Sequence, residues 1–341
     1  MSDRYLIQQY HTWRDDGAVL VLATVIETAG STYSKAGRHL LINSDDTYAG
    51  LVGGGCLEGD LVIRAQHVRE TGEPQLVCYD MRDDADDLWG LGLGCRGMMR
   101  LILQKLGPEN DWQPFQKLAE CMAAPGQAEV AMVVESSNPN LPLGTFLTDL
   151  TKSGVADTSL PALCKHEDPS GLYTALHWQT DPWPRLLLLG AGFDAAPIIA
   201  IANTLGWHTT VADHRPEKIA NSSNHAADAC VHVEPDNLEA ALELDSFDAV
   251  TVMSHHLETD LRYLQTLAGY QHKYIGVLGP AARRDELLAK LAGSGLRVRL
   301  QGPVGLDIGA TTPQGIALAL LAEIHATLKD RAGGKLSQSA P

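Results

Sequence analysis

Apolar positions follow two rhythms along the chain, and the change comes near residue 181. Before it, residues 5–15 have the spacing of a short amphipathic helix, and AVLVLATVIET (18–28) reads as a buried strand. GSTYSKAG (30–37) is a loop, RHLLIN (38–43) a strand, and SDDTYAG (44–50) has turn chemistry. From about Cys56 the period becomes helical, with Leu57, Leu61, Ala65 and Val68 on one face and Gly72 and Pro74 as stop signals. QLVCYD (75–80) is a strand, residues 81–97 form a long acidic, glycine-rich loop, and MMRLIL (98–103) is a strand. Residues 110–180 predict a helix at about 111–123 and the strands EVAMVVES, GTFLTDL and LYTALHW. The stretch between the last two carries Pro161 and Pro169 and reads as loop.

After DPWP (181–184) the chain alternates strand, helix, strand. RLLLLG (185–190) leads into a helix to about Leu205; WHTTVAD (207–213) and residues 229–233 are strands. DAVTVMS (248–254), YIGVLG (274–279) and LRVRL (296–300) continue the series. This is the pattern of a doubly wound parallel sheet. The last helix starts at Thr312 as N-cap with Pro313 in its first turn, and Ile316, Leu320, Leu321 and Ile324 line one face. The expected organisation is therefore α/β: an N-terminal α+β domain (1–180), a Rossmann-like doubly wound domain (184–328) and a disordered tail (329–341).

Composition narrows the function classes. The 341 residues suit two domains, and the net charge of −16 argues against nucleic-acid partners and anionic membrane surfaces. The longest apolar runs are strand-sized, and the polar N-terminus has no secretory pattern, so a cytoplasmic protein is expected. The six cysteines form no CxxC pair, so neither a metal ligand set nor a disulfide framework is expected.

Two places carry candidate chemistry. In the front half, Gly53, Gly54 and Gly55 run into Cys56, with Glu58 two positions on, and a second cluster, GLGLGCRG (90–97), holds Cys95 and Arg96. A cysteine at a helix N-terminus has its thiolate stabilised, so Cys56 is a candidate ligand or nucleophile, with Glu58 as proton acceptor or hydrogen-bond partner. The same cysteines equally suit small buried residues in tight turns. In the rear half, GAGFDA (190–195) is a G-x-G-x-x-A fingerprint between a strand and a helix, and Asp213 ends the next strand 23 residues past Gly190. Gly190 and Gly192 would cradle a phosphate, Asp213 would take ribose hydroxyls, and Arg215 an extra phosphate. SHHLETD (254–260) adds His255 and Asp260 at the end of a strand. On these residues alone an NAD(P)-dependent oxidoreductase, with His255 as acid–base and a cysteine as nucleophile, stays open, as does an adaptor that holds no ligand.

The chain resembles the XdhC/CoxI family along nearly its whole length. The carrying stretches are TAGSTYSKAG, GGGCLEGD, GLGLGCRG, LLLLGAGFDAAP with VADHRP, VMSHHLETD, YIGVLG and GPVGLDIGATTPQGIALALLAEI. The resemblance implies a maturation factor that binds the molybdenum cofactor, as molybdopterin or its dinucleotide form. It would protect the cofactor while a cysteine desulfurase supplies sulfur, then insert it into a xanthine dehydrogenase-type molybdenum hydroxylase. Cys56 and Cys95 become candidates for holding the cofactor or its sulfur, and the Gly190–Gly192 loop for its phosphate. The chain departs from the family at Arg96 (usually glycine), Ala36 (usually proline) and Gln314–Gly315 (usually acidic). The oligomeric state, including a homodimer, is left open.

Overall fold

The computed structural model describes residues 2–55, 57–82, 97–124, 126–148, 160–180, 182–221, 224–292, 299–335 and 337. The chain divides into two compact units, Met1–Pro182 and Trp183–Pro341.

In the first unit, β1 (Leu20–Gly30) is the centre of an antiparallel five-stranded sheet. The sheet order is β3 (Tyr48–Gly50), β2 (His39–Ile42), β1, β5 (Gly97–Leu106), β4 (Gln75–Asp80). Alternation sends Val21, Ala23 and Val25 of β1 to one face. There they meet Leu57, Leu61, Ala65 and Val68, which lead into and line α2 (Glu58–Thr71). The helix stops at Gly72, whose φ of 74° is a conformation that favours glycine. Tyr10 of α1 (Asp3–Asp15) packs edge-on against Phe115 of α3 (Phe115–Ala123), with ring centroids 4.9 Å apart. A second antiparallel sheet runs β7 (Phe146–Leu147), β6 (Ala128–Ser136), β9 (Gly171–Thr180), β8 (Ala162–Asp168). It joins the first unit's aromatic core through Trp178, which lies 5.9 Å from His39 and 6.0 Å from Phe146.

The second unit has a six-stranded parallel sheet. Its strands are β10 (Arg185–Leu189), β11 (His208–Asp213), β12 (Ala229–His232), β13 (Ala249–Val252), β14 (Tyr274–Val277) and β15 (Leu300–Gln301). The spatial order is β12-β11-β10-β13-β14-β15, so the direction of winding reverses between β10 and β13. The run Leu186–Leu189 is apolar throughout because both sides of the sheet are covered. Leu187 and Leu189 face α7 (Leu257–Leu267) and α8 (Ala281–Lys290). Leu186 and Leu188 face α4 (Ala195–Leu205) and α9 (Pro313–Leu328). The short helices α5 (Pro216–Ile219) and α6 (Leu238–Ala241) are single turns. Thr312 caps α9 as expected, its Oγ1 accepting from the Gly315 N–H at 3.1 Å.

Several local expectations change. The Pro161–Pro169 stretch holds strand β8, an edge strand whose burial alternates along its length. Prolines flank it without entering its ladder, so they bound a strand rather than exclude one. Tyr48–Gly50, read as turn, pairs with β2. Helix α3 starts at Phe115, since Pro114 occupies the N-cap and the residues before it turn. Of the expected strands at 144–150 and 296–300, the described residues hold Phe146–Leu147 and, from Leu300, the short β15, while 149–150 and 296–298 lie outside the described residues. Of the 329–341 tail, residues 329–335 and 337 are described, and the Arg331 N–H donates back to the Ala326 carbonyl at 2.8 Å.

Candidate functional site

The glycine run of the first unit is folded around a carboxylate. Glu58, in the first turn of α2, is fully buried. Its Oε1 accepts from the N–H groups of Val52 (2.8 Å) and Gly53 (2.7 Å), and its Oε2 from Gly55 (2.9 Å). Gly54 and Gly55 take φ of 69° and 99°, which lets consecutive amides turn inward onto one anion. Glu58 is thus engaged on both oxygens, and its place in this geometry is to hold the loop. The TAGSTYSKAG loop packs on this run. The Tyr33 ring lies where a Cβ on Gly54 would meet it at 3.1 Å, and Ser34 Oγ donates to the Leu51 carbonyl at 3.2 Å. Gly97 pairs with Gly30 at the end of β1, and the Met81 N–H donates to the Gly97 carbonyl at 3.0 Å. The described residues that flank both glycine–cysteine clusters therefore gather at one end of the sheet. Cys56, Cys95 and Arg96 themselves lie outside the described residues.

The second unit gathers its expected residues where the sheet reverses direction, the place at which open parallel sheets bind ligands. Gly190 ends β10 with φ of 132°, and a Cβ there would sit 2.4 Å from the Met253 carbonyl oxygen, so the loop after β10 touches the end of β13. His255, just past β13, has φ of 62° and carries its Nε2 3.2 Å from Asp194 Oδ2. Its ring lies 3.6–3.7 Å from the position of a Cβ on Gly192. The imidazole therefore covers the second fingerprint glycine, where a dinucleotide's pyrophosphate would approach.

Asp213 is also committed. It is fully buried; Oδ2 accepts from the Ala191 N–H at 2.7 Å, and Arg215 grips it through Nε (2.9 Å) and Nη2 (2.8 Å). Burial alone would raise its pKa, but Arg215 and the backbone donors outweigh that and hold the carboxyl below its ordinary range. The role expected of Asp213, accepting ribose hydroxyls, is not free in this geometry. Asp260, fully buried, likewise accepts from Ser254 Oγ and Arg283 Nη2, each at 2.5 Å. It braces the loop after β13.

One residue was missed in the sequence. Phe193, the third residue beyond Gly190, is 85% exposed, and Lys218 Nζ stands 5.4 Å from its ring centroid. A large apolar side chain inside a phosphate-type fingerprint was the available signal. Among the described residues no cluster of three or more His, Cys, Asp or Glu could hold a metal ion, and no helix is long and apolar enough to cross a membrane.

Residues 186–324 match the XdhC Rossmann domain, and residues 13–80 match the XdhC and CoxI family. The chain is 32% identical over 335 residues to a probable xanthine dehydrogenase subunit of Bacillus subtilis (strain 168), covering 94% of this chain and 98% of that protein. The chain belongs to the XdhC/CoxI family. This XdhC/CoxI chain is also 23% identical over 319 residues to the molybdenum cofactor insertion chaperone PaoD of Escherichia coli (strain K12), over 90% and 82% of the two chains. A crystal structure of a xanthine dehydrogenase from Bacillus halodurans superposes with a TM-score of 0.77 at 29% identity, covering 99% of this chain and 98% of that one. The XdhC-type Rossmann unit seen here thus keeps the outline of a dinucleotide fold while Asp213 is taken by Arg215 and the Ala191 amide, and His255 lies against Gly192.

Proposed function

We propose that this chain is a molybdenum cofactor insertion chaperone serving a xanthine dehydrogenase-type enzyme. One observation carries the reading: its similarity to PaoD, an insertion chaperone, runs over 90% of this chain, and its similarity to a probable xanthine dehydrogenase subunit over 94%. The cofactor is cargo here, a phosphate ester with a sulfur-rich metal end. A thiolate is the soft donor a protein offers such a metal. In this reading Cys56 and Cys95 engage the sulfur end, with the loop before Cys56 held in shape by Glu58. Within the second unit, taken by itself, the Gly190–Gly192 loop and Arg215 are the candidates for holding a phosphate. A cysteine desulfurase is the sulfur source and the compartment is the cytoplasm. The internal pairing of Asp213 speaks against the NAD(P) oxidoreductase reading.

The test is to purify the protein from a molybdenum-replete host, oxidise it and measure released pterin by fluorescence. The wild type is expected to release pterin, and Cys56→Ala to release little while keeping its circular dichroism. Full loading of Cys56→Ala would remove that cysteine from the site. A wild type that never carries pterin, and never restores an apo-xanthine dehydrogenase supplied with cofactor, would overturn the chaperone reading.

A further inference from the structure

Resting on the chaperone reading, we propose that Phe193 is a specificity-determining face of the rear unit. On it the flat heterocycle of a phosphate monoester stacks, in preference to any NAD-type dinucleotide. Three observations around the same loop carry this. Phe193 is 85% exposed at the ligand edge of the sheet, where no packing role accounts for a phenyl ring. Lys218 Nζ lies over one face of the ring, 5.4 Å from its centroid, and Arg215, three residues earlier, is anchored on Asp213 with its side chain 31% exposed. A ring with a cation over one face, its other face open to a ligand, and a second cation at the start of the turn that carries Lys218 form the donor set for a π-system that bears an anionic tail. Asn224, fully buried, donates from Nδ2 to the Ala191 carbonyl of the loop at 3.4 Å and to the Lys218 carbonyl at 3.1 Å, and among the described residues its Oδ1 has no partner, a buried acceptor beside the same loop.

The exclusion follows from the same geometry. An NAD-type ligand needs a free carboxylate for its ribose hydroxyls and a bare second glycine for its pyrophosphate. Asp213 is already gripped by Arg215 and the Ala191 amide, and Gly192 lies under His255. A single phosphate needs neither.

The probes are neopterin, neopterin monophosphate and NADH, titrated against the full chain by their own fluorescence. The monophosphate is expected to bind and be quenched, neopterin to bind more weakly, and NADH not to bind over the same range. Phe193→Ala, at a site too exposed to threaten folding, is expected to weaken the monophosphate on the order of tenfold, and Phe193→Tyr to restore it. Equal affinity in Phe193→Ala, absence of quenching in the wild type, or NADH binding as tight as the monophosphate overturns the proposal. Pterin released from purified protein separates the two failures. A loaded wild type with an equally loaded Phe193→Ala refutes the stacking face alone, whereas a wild type that is never loaded refutes the chaperone reading.

Discussion

Replacing Glu58 by glutamine tests whether this residue shapes the loop or takes part in chemistry. The carboxylate accepts three backbone N–H bonds of 2.7–2.9 Å, and the Val52 amide it serves is buried away from water. Glutamine keeps one acceptor oxygen for Val52 and Gly53 but turns an NH2 toward the Gly55 N–H. One charge-assisted bond is lost, about 1.5–3 kcal/mol, and the other two fall to neutral strength, about half. The sum is at least about 3 kcal/mol, felt first as opening of residues 51–57. Hydrogen exchange read by mass spectrometry on the peptide covering this segment should then speed up about a hundredfold at neutral pH, since about 1.4 kcal/mol corresponds to tenfold. Glu58→Ala leaves all three donors unpaired and should open the segment further. The reasoning fails if Glu58→Gln exchanges at the wild-type rate. Pterin loading lost with protection unchanged would instead make Glu58 a chemical participant.

Four further outcomes are expected. Burial, and then neighbouring Arg38, push the His39 imidazole down to about 3, so the unfolded chain binds the extra proton below about 6.5. The stability this confers is present above about pH 6.5 and is lost as pH falls toward about 3. His39→Gln should recover about 2 kcal/mol of the loss measured by urea unfolding between about pH 7 and about pH 5. Asp213 has its pKa depressed by Arg215, so its contribution is present above about pH 4 and lost as pH falls through the depressed value. Arg215→Met should destabilise the second unit by about 3–5 kcal/mol in denaturant titration at about pH 7, because it strands a buried carboxylate. Gly190→Ala puts a methyl 2.4 Å from the Met253 carbonyl and should cost about 3 kcal/mol or more in thermal unfolding. Gly55→Ala, with φ of 99° and open space around it, should cost only about 1–2 kcal/mol of backbone strain.

Much of the architecture was legible because the signals are local. The four-residue periodicity through Leu57, Leu61, Ala65 and Val68 marks α2, and Thr312–Pro313 marks the start of α9. The continuous apolar run at 186–189 announces a strand covered on both sides. Strand β8 escaped because ALCKHED alternates weakly and its prolines look like loop markers until its partner β9 is known. The location of the rear candidate site was also readable, since a fingerprint fixes which strand end it occupies. Its occupancy was not. Nothing in the residue types says that Arg215 folds back onto Asp213, or that His255 reaches Asp194; both depend on strand neighbours far apart in sequence or on rotamers set by burial. Glu58 was noticed for the right proximity, but its distribution over three amides comes from the positive φ of Gly54 and Gly55.

The Asp213–Arg215 pair has an implication for descent within this fold. The neutralising guanidinium sits only two positions beyond the carboxylate, so a stretch as short as Asp-His-Arg travels as one heritable cassette. Losing that arginine alone would leave a fully buried carboxylate without its neutralising partner, so the two residues are constrained to change together.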